Sequence, residues 1–418
     1  MTDVSATPST PQPARLVLED GTCFRGRAAG ALGSTSGEVV FSTAMTGYQE
    51  VLTDPSFHGQ IVTLTTAEVG VTGWVPGDNE SNGIQVAGFV ARRLTHTPSS
   101  WRCGARSLPA ALAEAGVVAV EGVDTRALTR HLRVRGDMRG VLCSDERASD
   151  AELLAEARAA VGVVGQDFTT AVSVPEPWCA EAAELVLETW TPYYDAALVS
   201  LRQREDSSAG SAPHIVLADY GAKWSIVRHL LARGCRVTVV PARTSAERIL
   251  ALEPDGVLLS NGPGDPAANT FAVEQIRALL GRVPVGGICM GFQLAALACG
   301  AETHKLSFGH RGSNHPVLEL ATKRTYVTSQ NHGFAVRRDS LDRAGLELTH
   351  ISLHDGTAEG LRHRELPLIA VQFHPEAAPG PHDAHGDFYT SFLGMLERRP
   401  DSSDAREGGH AEASASTA

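Results

Sequence analysis

The 418-residue sequence has no apolar run approaching the roughly 20 residues a membrane-spanning helix needs, so no bilayer crossing is expected. It lacks the basic start and apolar stretch of a secretory signal, because Met1 to Pro13 is rich in Ser, Thr and Pro. Positive charge is not in excess. The formal net charge of −12 argues against generic binding to nucleic acid or to an anionic membrane. The seven cysteines include no Cys-x-x-Cys pair, and no cluster has zinc-ligand spacing. That odd, scattered set predicts reduced thiols in a cytoplasmic setting and no metal site. No P-loop or other glycine-rich phosphate cradle occurs, so ATP chemistry is not expected in this chain.

What is present is length and ordinary globular composition. A chain of 418 residues exceeds one core, and 43% hydrophobic with 20% charged residues can fill two. Residues 1–13 read as a disordered arm. Arg15 to Glu19 alternates, Asp20-Gly21 marks a hairpin turn, and Thr22 to Gly26 returns. Glu38 to Ser42, Gln60 to Thr65 and Ile84 to Ala91 read as further strands. Thr46 to Ser56 between them reads as a polar, turn-prone loop. Ser107 to Ala115, Thr125 to Arg133 and Asp150 to Ala160 read as helices, with Asp124 or Thr125 capping the second. This gives an α+β or β-rich first domain over 14–195. Within it, Arg92 to Arg139 holds nine arginines against four acids, either a salt-bridged solvated face or a contact surface for an acidic partner.

The small, polar stretch centred on Gln203 to Ser211 predicts a linker over 196–213. From His214 strands and helices alternate: His214 to Ala218, Ser225 to Arg233, Arg236 to Val240, Ala246 to Leu252, Asp255 to Ser260, Phe271 to Leu280, and Val283 to Ile288. The pattern predicts an α/β domain over 214–397 with a doubly wound, mostly parallel sheet, followed by a disordered tail over 398–418. Sites in such sheets form outside the carboxyl ends of the strands.

Two motifs stand at such ends. Gly287-Ile-Cys289-Met-Gly291 is the cysteine form of a nucleophile elbow, with the thiol beside the N-terminus of a following helix. Ser260-Asn-Gly262-Pro-Gly264 offers backbone N–H groups that, with that of Met290, can hold an oxyanion. A third motif ends an apolar strand at His374-Pro-Glu376. Pro375 keeps His374 extended, so the imidazole and the Glu376 carboxylate share a face. Cys289, His374 and Glu376 are thus a nucleophile, base and orienting group. Gln293, four residues beyond Cys289, can face the same cavity. Each feature also has a plain reading: a packed thiol, a tight turn, a structural loop or a satisfied helix residue.

Taken together, Gly-Ile-Cys-Met-Gly-x-Gln, Ser260 to Pro266, Gln330-Asn-His-Gly-Phe334 and His374-Pro-Glu376 resemble the signatures of class I glutamine amidotransferases. Met45 to Ser56, Gly122 to Arg130, His315-Pro-Val317 and Pro379 to Asp383 narrow the resemblance to the family of carbamoyl-phosphate synthase small subunits. The resemblance spans about Ala14 to Glu397. It implies that Cys289 attacks the side-chain amide of L-glutamine and that the ammonia passes to a separate large subunit. That large subunit would hold the ATP and Mg, leaving this chain without a cofactor. It also implies glutamine contacts at Ser56, Gly262, Gly264, Met290, Gln293, Asn331, Gly333 and Phe334. Two departures stand out: Phe292, where many relatives carry a polar residue, and Thr66 to Val71, which replaces a more regular turn. They leave open a diverged docking paralogue, and the elbow alone leaves open a cysteine hydrolase with another substrate.

Overall fold

The computed structural model describes residues 12–99, 106–180 and 212–397. Most of the expected arm, the expected linker up to residue 211 and the tail from 398 lie outside them.

The first seven strands are β1 (Pro13–Leu18), β2 (Cys23–Ala28), β3 (Ser34–Ser42), β4 (Gln60–Leu64), β5 (Gly88–Val90), β6 (Val118–Glu121) and β7 (Met138–Cys143). They close into a barrel in the order β1-β2-β6-β5-β4-β3-β7, with β7 pairing back onto β1. Closure removes the free edges that an open sheet would expose. Successive side chains alternate between faces and feed two cores. Val39, Phe41, Ile61 and Val90 enter one, while Val40, Val62 and Phe89 enter the other. Helices Leu108–Glu114, Thr125–Arg135 and Asp150–Ala159 are capped by the side chains of Ser107, Asp124 and Ser149. The strand expected over Ile84 to Ala91 shortens to β5.

The segment read as a loop, Thr46 to Ser56, instead forms a helix over Tyr48–Thr53 and a 3-10 turn over Pro55–Phe57. So short a helix gains little from its own hydrogen bonds and depends on tertiary contacts. Here Val51 and Leu52 enter the core. The Gln49 amide bonds the Val75 carbonyl at 2.6 Å and Asn79 Oδ1 at 2.7 Å. None of those partners is near in sequence.

The second sheet has ten strands: β8 (Trp178–Ala180), β9 (His214–Asp219), β10 (Arg236–Pro241), β11 (Gly256–Leu259), β12 (Val285–Ile288), β13 (Thr303–Glu319), β14 (Thr325–Val336), β15 (Leu346–Ser352), β16 (Ala358–His363) and β17 (Leu368–Val371). Their order is β14-β13-β15-β16-β17-β12-β11-β9-β10-β8. The centre, β10-β9-β11-β12-β17, is parallel, and its strands are buried along their length as a doubly wound α/β sheet requires. Antiparallel β13 to β16 extend one side. At the other edge β8, which precedes the described start of the second domain, pairs antiparallel with β10. Helices Trp224–Ala232, Ala246–Leu250, Thr270–Leu279 and Met290–Ala298 join the parallel strands.

Candidate active site

The elbow is built by close approach of backbone to backbone. A Cβ on Gly287 would lie 2.8 Å from the Gly291 backbone, and one on Gly291 would lie 2.3 Å from the Leu259 carbonyl oxygen. Only glycine lets the first turn of helix Met290–Ala298 sit this near β11 and β12. Between them Cys289 has φ 54° and ψ −101°, outside the regions a side chain prefers. Its N–H is held by the Val371 carbonyl at 2.9 Å, at the end of the neighbouring strand β17. The Cys289 sulfur is buried and lies 3.6 Å from the Asn331 carbonyl oxygen.

Three residues beyond β17, the His374 N–H bonds the Ser329 carbonyl at 2.9 Å. Its Nδ1 lies 2.6 Å from Glu376 Oε1, so Nδ1 carries the proton and Nε2 is the reactive nitrogen. Nε2 has no hydrogen-bond partner among the described residues. Burial opposes a charge on His374, yet the Glu376 carboxylate and the Cys289 sulfur outweigh it and lift the imidazole to about 10. Burial likewise opposes a charged Glu376, but Lys223 and His374 draw its carboxyl down to about 2. Lys223 Nζ lies 3.0 Å from Glu376 Oε1 and also donates to the Ala377 carbonyl. A lysine with 2% of its side chain exposed stays charged here because Glu376, Glu80 and Asp54 surround it.

A cavity opens beside the sulfur. Of the expected contact residues, Ser56, Gly262, Gly264, Met290, Gln293, Asn331, Gly333 and Phe334 all line it, with Cys289. The two turn glycines are again forced by contact. A Cβ at Gly262 would meet the Tyr220 carbonyl at 2.2 Å, and one at Gly264, where φ is 96°, would meet that of Gln166 at 2.5 Å. Gln293 Nε2 bonds both the Phe334 carbonyl and Gln372 Oε1 at 2.9 Å. Its amide hydrogens are therefore spent within the protein, and Gln293 can offer a ligand only its oxygen. Asn331 Nδ2 gives one of its two hydrogens to Asp54 Oδ2 at 2.7 Å, leaving the other for a ligand. Phe292 is fully buried in the core of the second domain, away from the cavity lining.

Two family signatures match the chain. The class-I glutamine amidotransferase family matches residues 216–390, and the carbamoyl-phosphate synthase small chain, CPSase domain, matches residues 16–142. The carbamoyl phosphate synthase small chain of Rhodopirellula baltica is 49% identical over 90% of this chain and 95% of its own. That of Chlorobaculum tepidum is 46% identical over 92% and 98%, and that of Pseudomonas aeruginosa 47% over 93% and 100%. The chain belongs to the carbamoyl-phosphate synthase small-chain family.

In this small chain the site spans the seam between barrel and sheet. Asp54, not singled out from the sequence, accepts from Ser56 N–H at 2.9 Å, Asn261 Nδ2 at 3.3 Å and Asn331 Nδ2 at 2.7 Å. Ser56 Oγ accepts from Asn261 Nδ2 at 2.9 Å. Lys223 was missed as well. An Asp-Pro-Ser turn hints that the Asp54 side chain caps its own loop. Nothing local distinguishes Lys223 from a surface lysine, because its partners, Glu376 and Ala377, lie 153 and 154 residues on (376 − 223 and 377 − 223), and Glu80 and Asp54 come from the other domain.

Proposed function

We propose that this small chain hydrolyses L-glutamine and supplies the ammonia to a large subunit that makes carbamoyl phosphate from bicarbonate and ATP. The observation that carries the reading is a strained, buried Cys289 on the wall of a cavity that both domains line, with its sulfur close enough to the Glu376-held imidazole of His374 to help raise it. Cys289 Sγ forms a bond to the glutamine side-chain carbonyl carbon, and the thiol proton resides on His374. The resulting oxyanion accepts hydrogen bonds from backbone N–H groups at Met290 and the Gly262–Gly264 turn. Losing one such donor typically costs about 100-fold in rate.

His374 Nε2 then returns its proton to the amide nitrogen, the C–N bond breaks and ammonia leaves. A γ-glutamyl thioester remains on Cys289. Water, deprotonated by His374, cleaves the thioester to glutamate and restores the thiol. Glu376 holds the imidazole in the required tautomer throughout, and Lys223 keeps Glu376 ionised. The Gln293 oxygen suits the substrate ammonium. ATP and Mg belong to the large subunit on this reading. A cytoplasmic setting is supported by six free cysteines among the described residues, and no described helix is long and apolar enough to cross a membrane.

Cys289→Ser tests the reading in the assembled two-subunit enzyme. Glutamine-dependent carbamoyl phosphate synthesis should fall by about 10³-fold or more, while ammonia-dependent synthesis persists. Equal loss with both nitrogen donors would sink the proposal.

A further inference from the structure

At the cavity wall, the antiparallel wing gathers a second set of reactive side chains. His310 on β13 and His332 on β14 are directly opposed cross-strand partners, and Glu359 enters from β16. All three are buried, at 6%, 5% and 0% exposure. Their nearest donor atoms lie within 4.8 Å of one another. Glu359 Oε1 is 3.5 Å from His310 Nδ1 and 3.9 Å from His332 Nε2.

Hydrogen bonds on the far side of each ring decide what those atoms carry. His332 Nδ1 lies 2.7 Å from the Phe334 carbonyl, which can only accept, so Nδ1 holds the hydrogen and Nε2 presents a bare lone pair. His310 Nε2 lies 2.8 Å from Asp355 Oδ2; burial opposes a charge on this ring, but Asp355 and Glu359 raise it to about 9, so a metal ion at Nδ1 would displace the proton held there. Both inward nitrogens lack a hydrogen-bond partner among the described residues. Glu359 Oε2 is anchored by Gln330 Nε2 at 2.8 Å, and Thr357 Oγ1 lies 3.4 Å from Oε1. Once the Nδ1 proton of His310 is displaced, two nitrogen lone pairs and a carboxylate oxygen converge on one buried point. Protonating His310 would satisfy one edge of that triangle and leave His332 Nε2 facing an acceptor. A cation satisfies all three.

We infer that His310 Nδ1, His332 Nε2 and Glu359 Oε1 form a binding site for a divalent transition-metal cation, with zinc the best match to two imidazoles and one carboxylate. Tetrahedral zinc with bonds near 2.1 Å holds its ligands ~3.4 Å apart. The two contacts to Glu359 need close only by tenths of an ångström to reach that. The outer partners have the pattern that orients metal ligands: a carboxylate on one imidazole, a backbone carbonyl on the other and an amide on the carboxylate. The fourth position falls to water; Gln330 Oε1, two residues before His332, is a buried acceptor without a partner among the described residues. The sequence hid the set, because its members are 22 and 27 residues apart in succession (332 − 310 and 359 − 332). The ion would act as a positioning device. His332 itself lines the cavity, between Asn331, whose carbonyl meets the Cys289 sulfur, and Gly333 and Phe334.

The test uses the full chain carrying no polyhistidine tag, stripped with a chelator and then titrated with Zn2+ alone. Bound metal is counted by mass spectrometry, a readout independent of glutamine turnover. One tight equivalent per chain is expected, with affinity at least tenfold weaker in Glu359→Gln and in His310→Ala. Co2+ bound to the wild-type chain should give d–d bands of a four-coordinate N/O site without thiolate charge transfer, and Zn2+ should bleach them. This spectrum decides the matter even where a variant fails to fold. Wild-type chain that takes up no tight equivalent, an equivalent retained by both variants, or a thiolate band would each overturn the proposal.

Discussion

Glu376 is the residue on which the charges of the site turn. It is fully buried between His374 at 2.6 Å and Lys223 at 3.0 Å, and both hold it ionised. The folded-state value of His374, about 10, lies above the free value of 6.5. Its protonation therefore stabilises the fold fully below pH 6.5, and that contribution is lost as pH rises toward 10. Glu376 runs the other way. Its contribution is full above its free value of 4.5 and is lost as pH falls toward about 2. Both are complete between pH 4.5 and 6.5. Glu376→Gln should remove the attraction that raises His374, so the alkaline limb of glutamine hydrolysis should move to lower pH. Melting temperatures of the variant and wild type should converge only as the pH nears 10 or 2. A pH–rate profile and thermal melts across that range check both statements, and an unmoved alkaline limb would count against Glu376 as the orienting group.

Among elements, the elbow was legible in the sequence and the Tyr48–Thr53 helix was not. The elbow's glycines advertise close approach, since any Cβ at Gly287 or Gly291 collides with backbone. Helix Tyr48–Thr53 has no periodic apolar stripe to advertise it, because its partners Val75 and Asn79 come from a later loop. Helix Thr125–Arg135 bears on the arginine-rich stretch. Leu128 and Leu132 face the core, while Arg126, Arg130, Arg133 and Arg135 are exposed beside Val134, itself 82% exposed. Elsewhere in the stretch Arg139 pairs with Glu19 at 2.6 Å, Arg93 with Glu68 at 3.8 Å and Arg106 with Glu114. The salt-bridged reading thus fits these arginines, and the contact surface is our proposal for the exposed helix. Replacing Arg126 and Arg130 by Glu should slow association with the large subunit several-fold, more strongly at low salt, while thermal stability barely changes. Association rates at two ionic strengths measure this, and unchanged rates would free the helix from the interface.

At the scale of the whole molecule, the two domains share one polar seam. Glu80 of the barrel accepts from Ser225 Oγ at 2.6 Å and lies 3.3 Å from Arg228 Nη1, while Arg311 of the sheet meets Asp137 at 3.0 Å. These groups are buried, so each requires its partner from the other domain. Asp54 lies where this seam reaches the cavity. Asp54→Ala should leave the buried Asn331 amide without its acceptor, while Asn261 keeps Ser56 Oγ, costing about 1–3 kcal/mol of stability. It should also raise the glutamine KM, because the Asn331 carbonyl positions the Cys289 sulfur. Steady-state kinetics with thermal melts will show whether KM moves more than kcat, and an unchanged KM would confine Asp54 to a structural role.

The sequence by itself determined the chemistry. A glycine-flanked thiol at a strand end, a histidine fixed by the following proline, and a carboxylate two residues on are local patterns, and extended backbone alone puts His374 and Glu376 on one face. The parallel centre of the second sheet was equally local, written in alternating apolar strands and helices. Only the tertiary structure decided which amide hydrogens of Gln293 and Asn331 remained for a ligand, that Lys223 is buried against Glu376, and that Asp54 belongs to the site. Nor could local reading bring His310, His332 and Glu359 together. Those outcomes depend on contacts between segments tens to hundreds of residues apart. Burial and hydrogen-bond pairing are properties of that packing, not of any single stretch of chain.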